Sequence, residues 1–247
     1  MKAITIFFLC CFIIMLPSKT HAQRKVPILI YHSIDEFKGS GSKELYVTPQ
    51  NFEKQMIYLR DHGFTLLTFD RWKDIENVKK PIFITFDDGY KNNLHAFKIL
   101  QNLTNEHFKP TGTIFVITDF IGRSNRLSEA EIKMMTDSGI MSIQSHTVTH
   151  PDLTKINGFE EELKRSKDKI QKITREPVIA LSYPFGNTNE KVIAETKKYY
   201  SFGLTTTPEL YSKKGYKDEL YLLPRLYVKY STSLDEFAKV VEGRVRE

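Results

Sequence analysis

The sequence predicts an α/β protein whose parallel sheet is closed, or nearly closed, into a barrel of about seven strand-helix units. Three observations support this. Short apolar runs alternate with amphipathic stretches from Val26 almost to the end of the chain. Most changes from one to the other fall at a glycine, a proline or a capping residue. No internal repeat or low-complexity linker interrupts the series. An open, doubly wound sheet is the alternative, and in both folds the active site belongs at the carboxyl ends of the strands.

The first 22 residues stand apart from that pattern. Lys2 precedes an apolar run from Ala3 to Leu16, Pro17 breaks it, and Thr20-His21-Ala22 offers a small-residue cleavage site. This is the three-part pattern of a secretory signal peptide, and the run is short for a membrane span, although an uncleaved anchor is the alternative. The expected domains are therefore a signal peptide at 1–22 and one catalytic domain at 23–247. Cleavage would remove Lys2 and Lys19, lowering the net charge from +6 to +4. It would also remove Cys10 and Cys11, leaving no disulfide, and a domain of this size can do without one. The basic balance suits an anionic cell envelope or simple solubility. No dense Lys/Arg cluster interleaved with aromatics points to nucleic acid.

After the leader, Val26–Tyr31 reads as a buried strand and Glu36–Leu45 as a loop. Thr48-Pro49 opens a helix with Thr48 as N-cap, carried by Phe52, Met56 and Leu59 and ended by Gly63. Pro81–Phe86 is a strand, Asn93–Leu103 a helix, and Gly112–Ile117 a strand. Ser128–Ser138 is a helix with a capping box between Ser128 and Glu131. Met141–Ser145 is a strand and Phe159–Thr174 a long helix. Val178–Tyr183, Glu190–Tyr200 and Phe202–Thr205 follow as strand, helix and strand. Leu222–Val228 is the last strand and Ser233–Val241 the closing helix.

Two motifs carry the chemistry. In Thr85-Phe86-Asp87-Asp88-Gly89, paired carboxylates follow an apolar strand; alone this is either a functional pair or a solvated turn. In His146-Thr147-Val148-Thr149-His150, two imidazoles four residues apart share a face if the segment is helical, and can then bind one ion. Each motif follows a predicted strand, which places both at one end of the sheet. One carboxylate and two histidines make a three-ligand metal site with a position left open. The other carboxylate is then free to act as a base.

These residues, with Pro151-Asp152-Leu153 after the second motif and Ser182-Tyr183-Pro184-Phe185-Gly186 as a third, closely resemble the polysaccharide deacetylase (NodB-homology) family. The resemblance implies a distorted (β/α) barrel forming a single catalytic domain. It implies removal of N-acetyl groups from polymers containing N-acetylglucosamine. It assigns Asp88, His146 and His150 to a divalent metal and Asp87 to the base. Zinc suits those ligands, as do cobalt, nickel or iron. The Tyr183 N–H is a candidate oxyanion donor, and Tyr183 and Phe185 are candidate sugar-lining residues.

The sequence also departs from the family pattern. Typical members carry an arginine at the position of Ser182 and a late histidine where Leu222-Leu223-Pro224-Arg225 has Arg225. No histidine follows His150, and the only tryptophan is Trp72. Tyr-Pro-Phe-Gly, Leu-Pro-Arg and an early Tyr31-His32 are together similar to exported deacetylases of poly-β-1,6-N-acetylglucosamine. On that likeness Arg225 is expected to tether Asp87, and His32 is the candidate for the missing general acid. His62, His95 and His107 are expected to be bystanders. The expected activity is thus that of an exported hydrolase acting on poly-N-acetylglucosamine or peptidoglycan at the cell surface, of unknown oligomeric state. An acetylxylan-type O-acetyl esterase and a non-catalytic polysaccharide-binding protein are the alternatives.

Overall fold

In the computed structural model, which describes residues 24–244, eight parallel strands form one curled sheet. The strands are β1 (Ile28–Tyr31), β4 (Phe64–Leu67), β5 (Lys80–Phe86), β6 (Gly112–Val116), β7 (Met141–Ser145), β8 (Ala180–Ser182), β9 (Phe202–Leu204) and β10 (Leu226–Tyr227). Their order is β10-β1-β5-β6-β7-β8-β9, with β4 against the first half of β5. Two short strands, β2 (Ser33–Ile34) and β3 (Tyr46–Val47), pair separately. Leu223 bridges Leu204 of β9, and Leu226 pairs with Leu29 of β1. The segment from Leu223 to Tyr227 thus spans the gap between the two ends of the sheet, and the barrel is nearly closed with Arg225 at the seam.

Side chains on a strand alternate between faces, and here the two faces feed two cores. Leu29, Ile82, Ile84, Ile114, Val116 and Leu181 pack outward against the helices. The helices are α1 (Pro49–Asp61), α2 (Asn93–Leu103), α3 (Glu129–Asp137), α4 (Arg165–Thr174), α5 (Glu190–Thr196) and α6 (Leu234–Val241). Ile28, Phe83, Phe115, Ala180 and Leu204 pack inward with Phe69, and the Trp72 ring stacks against this inner group. Burying each such aliphatic or aromatic side chain contributes about 1.5–3 kcal/mol. The inner core is therefore apolar at the amino-terminal end. Its carboxyl end is polar, with Thr85, Asp87, Ser182 and Arg225 buried there.

Helix starts follow their capping residues. The Thr48 side chain accepts from Asn51 N–H, and Ser128 and Ser233 each close a capping box. Several expected bounds are corrected. β4 falls where no strand was expected, and a 3₁₀ segment, Phe69–Glu76, follows it. The long helix expected from Phe159 opens with a π turn, Glu160–Lys164. The helix expected to reach Tyr200 stops at Thr196. The expected signal peptide, with Cys10 and Cys11, lies outside the described residues. Among those residues, no helix is long and apolar enough to cross a membrane.

Candidate active site

Three turns at the carboxyl end of the barrel build the site, and each contains a left-handed residue. Asp87 prolongs β5, its N–H donating to the Tyr31 carbonyl at 3.0 Å. Asp88 and Gly89 then turn with φ of 72° and 63°. A Cβ on Gly89 would lie 2.9 Å from Val116 Cγ1, so only glycine fits there. His146 prolongs β7, and Thr147 and His150 both have φ of 66°. After β8, Phe185 has φ of 61°. Such conformations cost non-glycine residues about 1–3 kcal/mol each and cluster where a site needs them.

The two histidines therefore do not share the face of a helical turn, as the spacing suggested. They converge because Thr147 and His150 reverse the chain. The His150 N–H donates to Thr147 Oγ1 at 3.0 Å. The loop is held from α4's side by Glu162 in the π turn. One carboxylate oxygen accepts the Val148 and Thr149 N–H groups, each at 2.9 Å, and the other accepts the Thr149 hydroxyl at 2.6 Å. Nothing in the run Glu160-Glu161-Glu162 marks the third residue for this role, and sequence reasoning missed it.

Asp88, His146 and His150 bring their ligand atoms together. The two Nε2 atoms are 3.1 Å apart, and Asp88 Oδ1 lies 3.6 Å and 3.9 Å from them. Metal–ligand bonds of about 2.0–2.2 Å in a tetrahedron set ligand atoms about 3.3–3.6 Å apart, so this group fits a divalent ion of that size. His146 Nδ1 lies 2.7 Å from the Ser182 carbonyl. A carbonyl only accepts, so Nδ1 carries the proton and Nε2 presents its lone pair to the group. Burial, reinforced by His146, pushes the His150 pKa down to about 4 against the pull of Asp88 and Asp87. At neutral pH it is the neutral imidazole that can ligate a metal.

Beside this group lies Asp87, 3.9 Å from His146 Nε2. Arg225 meets it end-on, with Nη1 donating to Oδ1 and Nη2 to Oδ2, both at 2.8 Å. The other guanidinium protons go to the Thr205 carbonyl, Thr85 Oγ1 and Ser182 Oγ. Ser182 Oγ in turn donates to Asp87 Oδ2 at 3.0 Å. Burial alone would raise the Asp87 pKa, but Arg225, then His146, hold it well below the usual carboxylate range. Asp87 is thus an ionised, oriented carboxylate.

His32 follows β1 at the same mouth, half-buried, with its ring parallel to that of Tyr227 at 5.8 Å. Burial lowers its pKa although Asp87 and Asp88 oppose the shift. Phe185 is 63% exposed on the rim, its ring 4.7 Å from that of His150. Tyr183 is corrected on two counts. Its side chain is fully buried, with the hydroxyl donating to the Tyr221 carbonyl, so it does not line a sugar site. Its N–H donates to the Leu204 carbonyl at 3.0 Å and is not free for an oxyanion. His62, His95 and His107 are not part of the group. His62 stacks on Tyr58, His95 Nδ1 meets the Ile34 carbonyl, and His107 is exposed.

Residues 74–201, just over half the chain, match the sequence model of a family described as polysaccharide deacetylase. The crystal structure of BC0361, a polysaccharide deacetylase from Bacillus cereus, is 52% identical. It superposes with a TM-score of 0.88 over 89% of this chain and 69% of that one. This chain belongs to the polysaccharide deacetylase family. YxkH of Bacillus subtilis (strain 168), which carries the same family name, is 33% identical over 91% of this chain and 79% of its own. A poly-β-1,6-N-acetyl-D-glucosamine N-deacetylase of Staphylococcus epidermidis is 29% identical over 76% of this chain and 71% of its own. The family is one of hydrolases, and the chain is an enzyme of that kind. Asp87, Asp88, His146, His150, Ser182 and Phe185 lie inside the matched residues, whereas His32 and Arg225 lie outside them.

Proposed function

We propose that the protein is an exported, metal-dependent N-deacetylase acting on an N-acetylglucosamine-containing surface polysaccharide, poly-N-acetylglucosamine or peptidoglycan. The observation that carries this reading is the placement of a tethered carboxylate, Asp87, beside the Asp88, His146 and His150 group in one mouth. Those three residues would hold a divalent ion, zinc on the donor set. Bound there, such an ion lowers the pKa of a water to about 7 and polarises an acyl oxygen.

The chain's own residues do the rest. Asp87 takes a proton from the attacking water, with Arg225 and Ser182 fixing the direction of its lone pairs. The Phe185 N–H replaces that of Tyr183 as candidate donor to the developing oxyanion. It lies on the strained third turn and makes no hydrogen bond among the described residues. The exposed Phe185 ring offers a sugar an apolar face. Two groups stand in the mouth to return a proton to the leaving nitrogen: Asp87 itself and His32. Replacing His32 by Gln separates them. A loss of about 10²-fold or more in kcat assigns the acid to His32, and an unchanged kcat assigns it to Asp87.

Export rests on the leader at residues 1–22, and the relatives' named substrates support a cell-envelope polymer. The test is acetate release by residues 23–247 from poly-β-1,6-N-acetylglucosamine, peptidoglycan, chitin oligomers and acetylxylan, each with added zinc and with chelator. Chelator-sensitive release from an N-acetylglucosamine polymer supports the reading and identifies the polymer. Release from acetylxylan alone replaces it with the esterase, and release from none replaces it with the binding protein.

A further inference from the structure

The β5 turn and the loop after β6 meet beside the site. Tyr90, two residues after Asp88, forms an antiparallel bridge with Arg126, and the Leu127 N–H donates to the Gly89 carbonyl at 3.0 Å. This pairing lays the Arg126 guanidinium over the Tyr90 ring, 3.9 Å from its centroid. Tyr90 follows Asp88 by two residues, so the stacked Arg126 guanidinium stands beside the turn that carries Asp88.

Among the described residues Arg126 has no acidic partner. Its guanidinium makes one hydrogen bond there, a long one of 3.5 Å from Nη1 to the Asn125 carbonyl, and its buried Nε has none. The nearby acids are engaged by other cations: Glu131 pairs with Lys91, and Asp119 with Arg165 and Lys169. A half-buried guanidinium held flat by stacking, with donors unused, is pre-organised for an anion.

We propose that Arg126 reads an anionic substituent, carboxylate or phosphate, on the sugar next to the one being deacetylated, so that the preferred glycan is acidic rather than neutral. This rests on the deacetylase reading. The ring stacking fixes the guanidinium plane before the substrate arrives, and the two Nη groups, which meet no carboxylate among the described residues, form the pair of donors that an anionic group fills. Arg126 acts on recognition of the neighbouring sugar and not on the reacting atoms.

The test uses the zinc-loaded enzyme and oligosaccharides that share one scissile N-acetylglucosamine. In one the neighbouring sugar carries a free 3-O-lactyl carboxylate, in a second a 6-phosphate, and in a third the lactyl group as a neutral amide. The wild type is expected to show about 10-fold higher kcat/KM on at least one acidic oligomer than on the amide, through KM, with the gap narrowing at high salt. The acidic arm that shows the gap names the substituent. Arg126→Gln removes the preference and leaves the amide rate unchanged, while Arg126→Lys keeps part of it. Equal wild-type rates on all three overturn the proposal, as does an equal loss on all three in Arg126→Gln. Binding of the same oligomers to the Asp87→Asn protein reads the preference without turnover. Failure of the deacetylase reading would instead appear as no acetate from any of them.

Discussion

Arg225 has no exposed surface, and each of its five guanidinium N–H groups has an acceptor. A fully satisfied buried ion pair of this kind is costly to break from one side, because the carboxylate left behind is desolvated and unpaired. Arg225→Ala is therefore expected to lower stability by about 3–5 kcal/mol in denaturant unfolding. In an Asp87→Asn background the same change costs clearly less, since no charge is stranded; equal costs in both backgrounds would show that the two residues act independently. Arg225→Lys keeps the charge but not the fork. It is expected to fold and to lose kcat with little change in KM, which a steady-state comparison on one substrate reads directly. Ser182 explains why the arginine can come from the seam. The family's usual arginine position is here a small hydroxyl, which leaves room for the Arg225 side chain and bonds to both partners.

Among the elements, the turns that carry Asp88, the histidines and Phe185 matter more than the strands that present them. Glu162 is the brace of the second turn, and it acts through the backbone of Val148 and Thr149 rather than by touching a substrate. Glu162→Ala is expected to weaken zinc binding by about 10–100-fold in a chelator competition, with Glu162→Gln recovering part of the loss through its carbonyl oxygen. Unchanged zinc affinity in a folded Glu162→Ala protein would reduce Glu162 to a stabilising role. At the third turn, a Cβ on Gly186 would fall 2.8 Å from the Thr206 backbone nitrogen, at a φ of 73°. Gly186→Ala is expected to destabilise by about 1–3 kcal/mol, measurable as a lowered Tm.

At this scale the sequence was readable where a run was apolar and its ends were punctuated. Thr48-Pro49, the Ser128 capping box and the strand before Asp87 all appear as expected. β4 was not readable, because four residues containing a threonine, directly after a helix stop, carry too little periodicity. The histidine spacing picked out two rings that do converge, but through another geometry than the one expected: a helix and a left-handed turn can both bring residues four apart together. Tyr183 and Glu162 were illegible for a shared reason. Whether an aromatic faces a groove or the core, and which of three glutamates reaches a loop, depends on tertiary placement that no local pattern records.

Across the whole molecule, the barrel separates stability from chemistry. Apolar side chains, with Phe69 and Trp72, fill its amino-terminal end, and the buried charges are confined to the other. Arg24, the first residue described, donates to the Ile75 and Lys79 carbonyls beside the 3₁₀ segment, at the end away from Asp87. If the leader is removed on export, the intact mass of the secreted protein should correspond to a chain beginning at Gln23. A mass that includes residues 1–22 would favour the anchor.

In the proposed reaction Asp87 performs the proton chemistry of a metal-dependent deacetylation while Asp88, His146 and His150 hold the metal. The most direct test is acetate release by Asp87→Asn at matched zinc occupancy, on whichever N-acetylglucosamine polymer the wild type hydrolyses. Full zinc binding is expected, with turnover reduced by about 10²-fold or more. A zinc-loaded Asp87→Asn protein that releases acetate at the wild-type rate would contradict it.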